Sequence, residues 1–291
     1  MQGAILKSFT YKGGGGNGAG VILLDKQMTN TEKQEIAARI GLSETAFILQ
    51  TNEDVFDVSF FTPVCQVDLC GHATIAAFYY LGLIGVIKGY METKKVFQNT
   101  NAGKLEVEII FNDSGVDYVL MQQQKPQIFN EFIGQDLKKI AESLNTQENN
   151  IGLESYNIYP TIVSTGLRDI MVPVKSRSLL NSLNVNFDLI NDVSIEKDVV
   201  GYHVYTLEKN KIYARNFAPR VGINEECATG TSNGALGSLL YNKKIISNEV
   251  SVLQGESMQE ISNIYVRITD QNGLVDVHIG GRAFIIKNIS I

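Results

Sequence analysis

The amino-acid sequence predicts an α+β fold of two similar halves, each a curved sheet wrapped around one buried helix. Many short segments are rich in Val, Ile, Tyr and Phe and are bounded by Gly, Asn and Asp, a composition typical of strands. Two segments, 71–85 and 229–242, are nearly apolar all round and are therefore expected to be buried helices. The residues that precede these two helices follow one repeated order.

The repeat comprises residues 61–81 and 217–241. Each copy contains Phe-x-Pro, a short loop, a cysteine, a threonine four residues after that cysteine, and a helix of small residues. The cysteines are Cys70 and Cys227. An internal duplication of this kind predicts two pseudo-symmetric halves.

The boundary between the halves is expected in the polar segment 122–136, where the composition shifts. We place the N-terminal half at 1–122, together with the last strand near 284–291, and the C-terminal half at 123–283. A two-fold arrangement of the halves would bring both helix N-termini to one cleft, where small ligands usually bind.

Two further elements can be predicted from local pattern. A helix is expected over 31–41, because apolar residues recur at helical spacing and Gly41 is suited to end it. The glycine-rich segment 13–20 precedes a strand, so we interpret it as a connection between antiparallel strands and not as a dinucleotide-binding loop, which must open a helix. The alternative is that Asn17 and neighbouring backbone N–H groups contact a substrate.

Composition excludes several classes of protein. The net charge is −6, and no block of Lys and Arg with interleaved aromatic residues points to nucleic-acid binding. No apolar run approaches the length of a membrane span, and the N-terminus lacks the pattern of a signal peptide. We therefore expect a cytoplasmic protein whose three cysteines are reduced thiols.

The two repeated cysteines can be interpreted in two ways. A buried cysteine is usually a small hydrophobic residue. A cysteine at a helix N-terminus, however, gains thiolate character from the free N–H groups of the first turn. Two such thiols on opposite faces of one carbon would suit racemisation or epimerisation. Against this, Glu225 and Glu226 precede Cys227, and nearby carboxylates raise the pKa of a thiol.

Other chemistry finds little support. The histidines and cysteines lack metal-ligand spacing, so no metal site is predicted, and Cys65 is taken as structural. No nucleophile elbow or phosphate-binding loop is present. Glu44 is either a solvated strand start or a functional acid, and His72 either acts as an acid or caps its helix.

These motifs together resemble the PhzF family of phenazine-biosynthesis isomerases, which share the diaminopimelate epimerase fold. The similar stretches occur in family order over nearly the whole chain: GNGAGVILLD, LSETAFIL, FTPVCQVDLCGHATIAA, STGLRDIMVPV, RNFAPRVGINEECATGTSNGALGSLLY, LQGESM and VHIGGRAFII. Gly18 replaces the family's proline in the first stretch, and Cys227 replaces its proline in the Glu-Asp-Pro-Ala-Thr-Gly-Ser motif. Cysteine-pair epimerases and proline racemases of this fold carry catalytic cysteines at the positions of Cys70 and Cys227.

The resemblance implies largely antiparallel sheets, an active site between the halves, and commonly a homodimer. It makes Glu44 the proton-transfer base, assisted by His72, Glu226 and Thr231, and implies no cofactor. The expected substrate is a small carboxylate-bearing molecule held by backbone N–H groups at the two helix starts, which comprise Gly71, Ala73, Thr74, Thr229, Gly230 and Thr231. Two alternatives stay open: racemisation by Cys70 with Cys227, and a small-molecule binding protein that lost its chemistry.

Overall fold

The computed structural model describes residues 2–209 and 211–290. They form two compact units: unit 1 comprises Met1–Gln122 and Gly280–Ile291, and unit 2 comprises Gln123–Ile279. Among the helices of these described residues, none is both long and apolar enough to cross a membrane.

The chain up to residue 122 forms ten labelled elements, which supply most of unit 1. They are β1 (Gln2–Ser8), β2 (Asn17–Leu23), α1 (Asn30–Ile40), β3 (Glu44–Asn52), β4 (Val55–Phe61), β5 (Gln66–Val67), α2 (Gly71–Leu83), β6 (Thr93–Thr100), β7 (Gly103–Asn112) and β8 (Gly115–Gln122).

The rest of the chain forms unit 2 and then returns to unit 1 with its last strand. Its elements are β9 (Gln127–Glu131), α3 (Gln135–Ser143), β10 (Thr161–Ser164), β11 (Arg168–Pro173), α4 (Arg177–Ser182), α5 (Phe187–Glu196), β12 (Gly201–Glu208), β13 (Lys211–Ala218), β14 (Ile223–Glu226), α6 (Gly230–Asn242), β15 (Glu249–Gln254), β16 (Ser262–Gln271), β17 (Leu274–Gly281) and β18 (Ala283–Ser290).

The two units share one strand order. In unit 1 the neighbours run β18-β1-β2-β3-β4-β6-β7, paired antiparallel except for the parallel pairs β2–β3 and β4–β6. In unit 2 they run β9-β10-β11-β12-β13-β15-β16, antiparallel except for β11–β12 and β13–β15. The parallel pairs fall at the same places in both series. The duplication predicted from the repeated motif is therefore confirmed, as are the largely antiparallel sheets.

Each unit has one central helix packed inside its sheet. Helix α2 contacts β1, β2, β3, β7, β8 and β18, and α6 contacts β10, β11, β12 and β16. Strands enclose both helices on several sides, which explains why neither helix has a polar face. The predicted segments 71–85 and 229–242 match Gly71–Leu83 and Gly230–Asn242.

Other helices cover the outer face of each sheet. Along β11, Met171 packs inward with α6, whereas Ile170 and Val172 pack outward in a cluster with α3, α4 and α5. Strands covered on both faces become continuously apolar, as the segment IMVPV after Asp169 is. In unit 1, α1 takes the outer position, and Ile36 joins a cluster with Phe47.

The helix predicted over 31–41 is α1, and its ends follow ordinary capping rules. Thr29 and Glu32 form a capping box at its start. Gly41 follows its last residue with φ of 69°, a left-handed conformation that glycine adopts at little cost. Of the segment 13–20, residues 13–16 lie in the connection between the antiparallel strands β1 and β2, whereas residues 17–20 already belong to β2.

Unit 2 contains three helices that the sequence analysis did not predict. Helices α3, α4 and α5 form its outer layer, and each is at most ten residues long. Their apolar positions are interrupted by Asn, Ser and Asp, which weakens the helical pattern in the sequence. Most of the segment 122–136 belongs to unit 2 itself, because β9 pairs with β10 and α3 begins at Gln135.

Candidate active site

A carboxylate and an imidazole meet where β3 and α2 begin. Oε2 of Glu44 lies 3.0 Å from Nε2 of His72, and their side chains are 21% and 13% exposed. Glu44 is the first residue of β3, and His72 is the second of α2. Because α2 passes inside the sheet, its first turn lies at the edge where β3 starts.

Cys70 joins this pair. It is the N-cap residue of α2 and is buried, and its Sγ lies 3.5 Å from Nδ1 and 3.7 Å from Nε2 of His72. The similar distances mean that the sulfur lies alongside the imidazole and does not favour one nitrogen. Glu44, Cys70 and His72, which the sequence analysis named separately as candidates, thus form one compact cluster of carboxylate, thiol and imidazole.

The charges of the cluster favour an ion pair. Burial acts to raise the pKa of Glu44, but His72, with hydrogen bonds from Ser43 and Cys70, outweighs this effect and lowers the pKa below its usual value. Burial likewise acts to lower the pKa of His72, but Cys70 and Glu44 outweigh it and hold that pKa well above the usual value. Near neutral pH, Glu44 is therefore a carboxylate and His72 an imidazolium.

Two serines that sequence reasoning missed support the cluster. Ser8, fully buried, donates a hydrogen bond of 2.9 Å to the backbone oxygen of His72 and lies 3.4 Å from that of Asn17. The hydroxyl of Ser43 lies 3.5 Å from Nε2 of His72 and 3.5 Å from the backbone oxygen of Gly18. Ser43 could have been suspected as the neighbour of Glu44. Ser8 gave no signal within its apolar strand.

The first turn of α2 has no side-chain cap, in contrast to α1, α4 and α5, which are capped by Thr29, Ser176 and Asn186. Backbone N–H groups at Gly71 and Ala73 in such a turn suit an anion. Thr74 is different: both its N–H and its hydroxyl bond to the backbone oxygen of Cys70, and its side chain is fully buried. Thr74 was predicted to donate a hydrogen bond to the substrate, but both of its donors are already bonded to Cys70.

In unit 2 the predicted residues gather at the start of α6. The N-cap of α6 is Thr229, and this helix also lacks a side-chain cap. Cys227 therefore precedes the N-cap and does not stand directly at the helix start, in contrast to Cys70. The two cysteines therefore differ in their position relative to their helices, because α6 begins later relative to its cysteine than α2 does.

The contacts of the other unit 2 candidates are specific. The Thr229 hydroxyl donates to Oε2 of Glu226 at 2.7 Å, and the Thr229 N–H donates to Oε1 of Gln254 at 3.2 Å. The backbone oxygen of Thr231 accepts a 3.0 Å hydrogen bond from the Thr165 hydroxyl, which fixes the turn that Gly230 begins.

Glu225 forms an ion pair with Arg215. Both of its carboxylate oxygens lie 2.8 Å from donors of Arg215, and Ser257 donates to Oε1 at 2.7 Å. Its charge is thus compensated locally, which weakens the sequence argument that Glu225 opposes ionisation of Cys227.

The unit 1 cluster also offers a donor set for a cation. One carboxylate oxygen, one sulfur and one imidazole nitrogen from Glu44, Cys70 and His72 lie within 4.8 Å of one another. Zn²⁺ accepts all three donor types. These residues could hold a cation, although the sequence predicted no metal site.

Comparison with known proteins places this geometry in a family. The family model described as phenazine biosynthesis-like protein, PhzC-PhzF, matches residues 6–288. An uncharacterized isomerase of Clostridium acetobutylicum is 36% identical, with 97% of this chain and 94% of that protein aligned.

Comparison with solved structures gives the same family and fold. A PhzF-family phenazine biosynthesis protein of Bacillus anthracis superposes with a TM-score of 0.85 at 26% identity, covering 100% of this chain and 98% of that one. A hydroxyproline epimerase of Agrobacterium vitis, at 13% identity and a TM-score of 0.62 over 99% and 91% of the two chains, shares the fold. The match to the family model covers nearly the whole sequence, and the chain therefore belongs to the phenazine biosynthesis-like PhzC-PhzF family.

Proposed function

We propose that this isomerase moves a proton between two carbons of a small carboxylate-bearing substrate, without a cofactor, and that Glu44 carries the proton. The observation that supports this most directly is the 3.0 Å contact between Glu44 and His72 in a mostly buried site. The carboxylate is ionised and so is ready to accept a proton, whereas the imidazolium can donate one.

The proposed cycle balances in protons. Glu44 takes a proton from one carbon of the substrate, and the electron pair left behind shifts along the substrate toward a second carbon. The protonated Glu44 then returns the proton to that second carbon, so that enzyme and formula are both unchanged. His72 stabilises the carboxylate form of Glu44 between turnovers.

A carboxylate on the substrate is suggested by the uncapped start of α2. Free N–H groups in a helix's first turn and the positive end of its dipole both stabilise an anion. In this proposal, Gly71 and Ala73 contribute such groups. A carboxylate next to the reacting carbon also stabilises the carbanion-like charge that develops there.

The proposal can be tested by isotope exchange. The purified protein is incubated in D₂O with a panel of L-amino acids and of cyclic and dienyl carboxylic acids, and loss of C–H signals is followed by NMR. We expect exchange or migration in at least one unsaturated acid, and we expect E44Q to lower its rate by about 10²–10⁴-fold.

The matched control is E53Q, which makes the same chemical change at an exposed glutamate of unit 1 and should leave the rate unchanged. An E44Q variant that is folded and as active as the unaltered protein would overturn the proposal. Circular dichroism of both variants separates loss of chemistry from loss of structure.

A second candidate function is amino-acid racemisation by Cys70 and Cys227. The observation that favours it is that the Cys70 sulfur lies at an uncapped helix start, 3.5 Å from Nδ1 of His72. This reaction would exchange the Cα proton of an amino acid and produce its D-isomer. C227A would then abolish the exchange, whereas in the Glu44 mechanism C227A would retain it.

A further inference from the structure

A buried polar network runs through unit 2 beneath the start of α6. Its six inner side chains are each at most 3% exposed, and they come from four strands and one helix. They are Asp169, His203, Asn216, Ser232, Asn233 and Gln254. Burying so many polar groups is costly unless they are hydrogen-bonded to one another. The direction of each hydrogen bond therefore indicates how the network is organised.

The network has its origin at Asn216, whose amide nitrogen donates in two directions. One bond of 3.3 Å goes to Nδ1 of His203, and one of 3.2 Å goes to the hydroxyl of Ser232. Because Nδ1 of His203 accepts, its proton is on Nε2, which lies 3.2 Å from Oδ1 of Asn233. Both ring nitrogens of a neutral imidazole are thus satisfied.

From Asn233 the chain of donors continues to the candidate site. Nδ2 of Asn233 donates to Oε1 of Gln254 at 2.7 Å. Nε2 of Gln254 donates to the hydroxyl of Thr229 at 3.0 Å and to the backbone oxygen of Glu226 at 2.7 Å. The Thr229 hydroxyl then donates to the Glu226 carboxylate at 2.7 Å.

The other branch also ends on a carboxylate. The Ser232 hydroxyl donates to Oδ2 of Asp169 at 2.5 Å. Every side-chain donor along the two branches therefore points away from Asn216, and the branches end at Asp169 and Glu226. Reversing one link would set two donors or two acceptors against each other, so the network favours a single arrangement.

We propose that His203 and Asn216 are positioning residues, which act through Asn233, Gln254 and Thr229 to fix Glu226 and Cys227 at the start of α6. The network holds the chain on both sides of Cys227, at the Glu226 backbone oxygen and at the Thr229 N–H.

Unit 1 provides a contrast. There, the corresponding strand β6 carries Gln98, which accepts a 3.3 Å hydrogen bond from Thr74 in the first turn of α2. Unit 2 extends this simple link through Asn233 to His203 and Asn216. The longer series of hydrogen bonds is therefore found near Cys227 and not near Cys70.

Alkylation of the cysteines tests the inference without a substrate. The protein in a C65S background is treated with iodoacetamide, and modification of Cys70 and Cys227 is followed by peptide mass spectrometry. We expect H203L to speed modification of half-buried Cys227 by about fivefold relative to Cys70 in the same sample, because one link of the chain is lost. H203Q, which keeps a donor and an acceptor, should stay within about twofold of the unaltered protein.

A general loss of stability is excluded by I190A, which opens a cavity in the outer cluster of unit 2, away from the network. When I190A and H203L are compared at the same unfolding midpoint, I190A should leave the ratio of the Cys227 and Cys70 modification rates unchanged. An unchanged ratio in folded H203L, or equal effects of H203L and H203Q, would overturn the inference.

A second measurement on the unaltered protein covers the case in which H203L does not fold. ¹⁵N NMR of the histidine side chains at pH 7, assigned with H203Q, should show His203 neutral with its proton on Nε2. A proton on Nδ1, or an imidazolium, would reverse the chain of donors and overturn the inference. These outcomes do not depend on whether Glu44 catalyses an isomerisation.

Discussion

Nε2 of His72 lies 3.0 Å from Oε2 of Glu44, and the two residues stabilise each other's charged form. Neither group would keep its charge so well alone, because burial opposes ionisation of both. The proposed chemistry therefore depends on the pair and predicts a defined response to pH.

We expect the isomerase rate to be greatest where Glu44 is a carboxylate and His72 an imidazolium. The pKa of Glu44 is lowered from 4.5, so the acid limb should lie below pH 4.5. The pKa of His72 is raised well above 6.5, so the alkaline limb should lie well above pH 6.5. A pH profile of the exchange rate checks this, and a limb centred at pH 6.5 would contradict it.

H72N tests whether the pKa of Glu44 depends on His72. Without the imidazolium, burial raises the pKa of Glu44, so the acid limb of the profile should move to higher pH. The rate at neutral pH should fall by about 10²–10³-fold. The pH profile of H72N measures both effects. A lower rate with an unmoved acid limb would mean that His72 does not act through Glu44.

D169N should stabilise unit 2 near neutral pH. Burial raises the pKa of Asp169 to about 6 from 3.8, so the folded state holds its proton more tightly than the unfolded state. Stability from this group is therefore present below pH 3.8 and is lost as the pH rises through 6. We expect D169N to raise the free energy of unfolding at pH 7 by about 2–3 kcal/mol.

Urea denaturation of D169N and the unaltered protein over a pH series measures this difference. The difference should shrink as the pH falls from 6 toward 3.8. D188N is the control, because it makes the same change at an exposed aspartate in the first turn of α5. A pH-independent difference for D169N would show that burial does not raise this pKa.

H203Q should reduce the loss of stability that occurs at acid pH, whereas D169N affects stability near neutral pH. Burial lowers the pKa of His203 to about 4 from 6.5, so the unfolded state binds the proton more tightly. The stability that His203 contributes is complete above pH 6.5, and about 3 kcal/mol is lost as the pH falls to 4. The same denaturation series should show a shallower acid decline for H203Q. An unchanged decline would mean that His203 is not the group responsible.

R215M should be strongly destabilising. The Arg215 side chain is 8% exposed and forms a two-point ion pair with Glu225, and its Nη1 donates to the backbone oxygens of Leu180 and Leu183. Removal leaves a carboxylate that is only 15% exposed and two carbonyls without these donors, at a cost of about 3–5 kcal/mol.

R267M is the matched control, because Arg267 pairs with a Glu249 side chain that is 66% exposed. We expect it to cost less than about 1 kcal/mol. Thermal or urea unfolding of the two variants gives the comparison. Similar losses would show that burial does not distinguish these ion pairs.

Local pattern in the sequence was enough to predict much of the fold. Strand composition and the apolar character of segments 71–85 and 229–242 identified the sheets and the two central helices, because buried helices and doubly covered strands must be apolar. The outer helices of unit 2 were missed, because polar residues interrupt their apolar face and tertiary packing decides whether such short helices form.

The sequence by itself determined the duplicated architecture and named Glu44, His72 and Cys70 as candidates, since composition and repeat order depend on neighbouring residues alone. Only the tertiary structure decided which side chains meet. It brought Ser8 to the backbone of His72 and joined His203 to Asn233. Contacts between residues far apart in the chain follow from strand register and helix placement, and no local spacing encodes them.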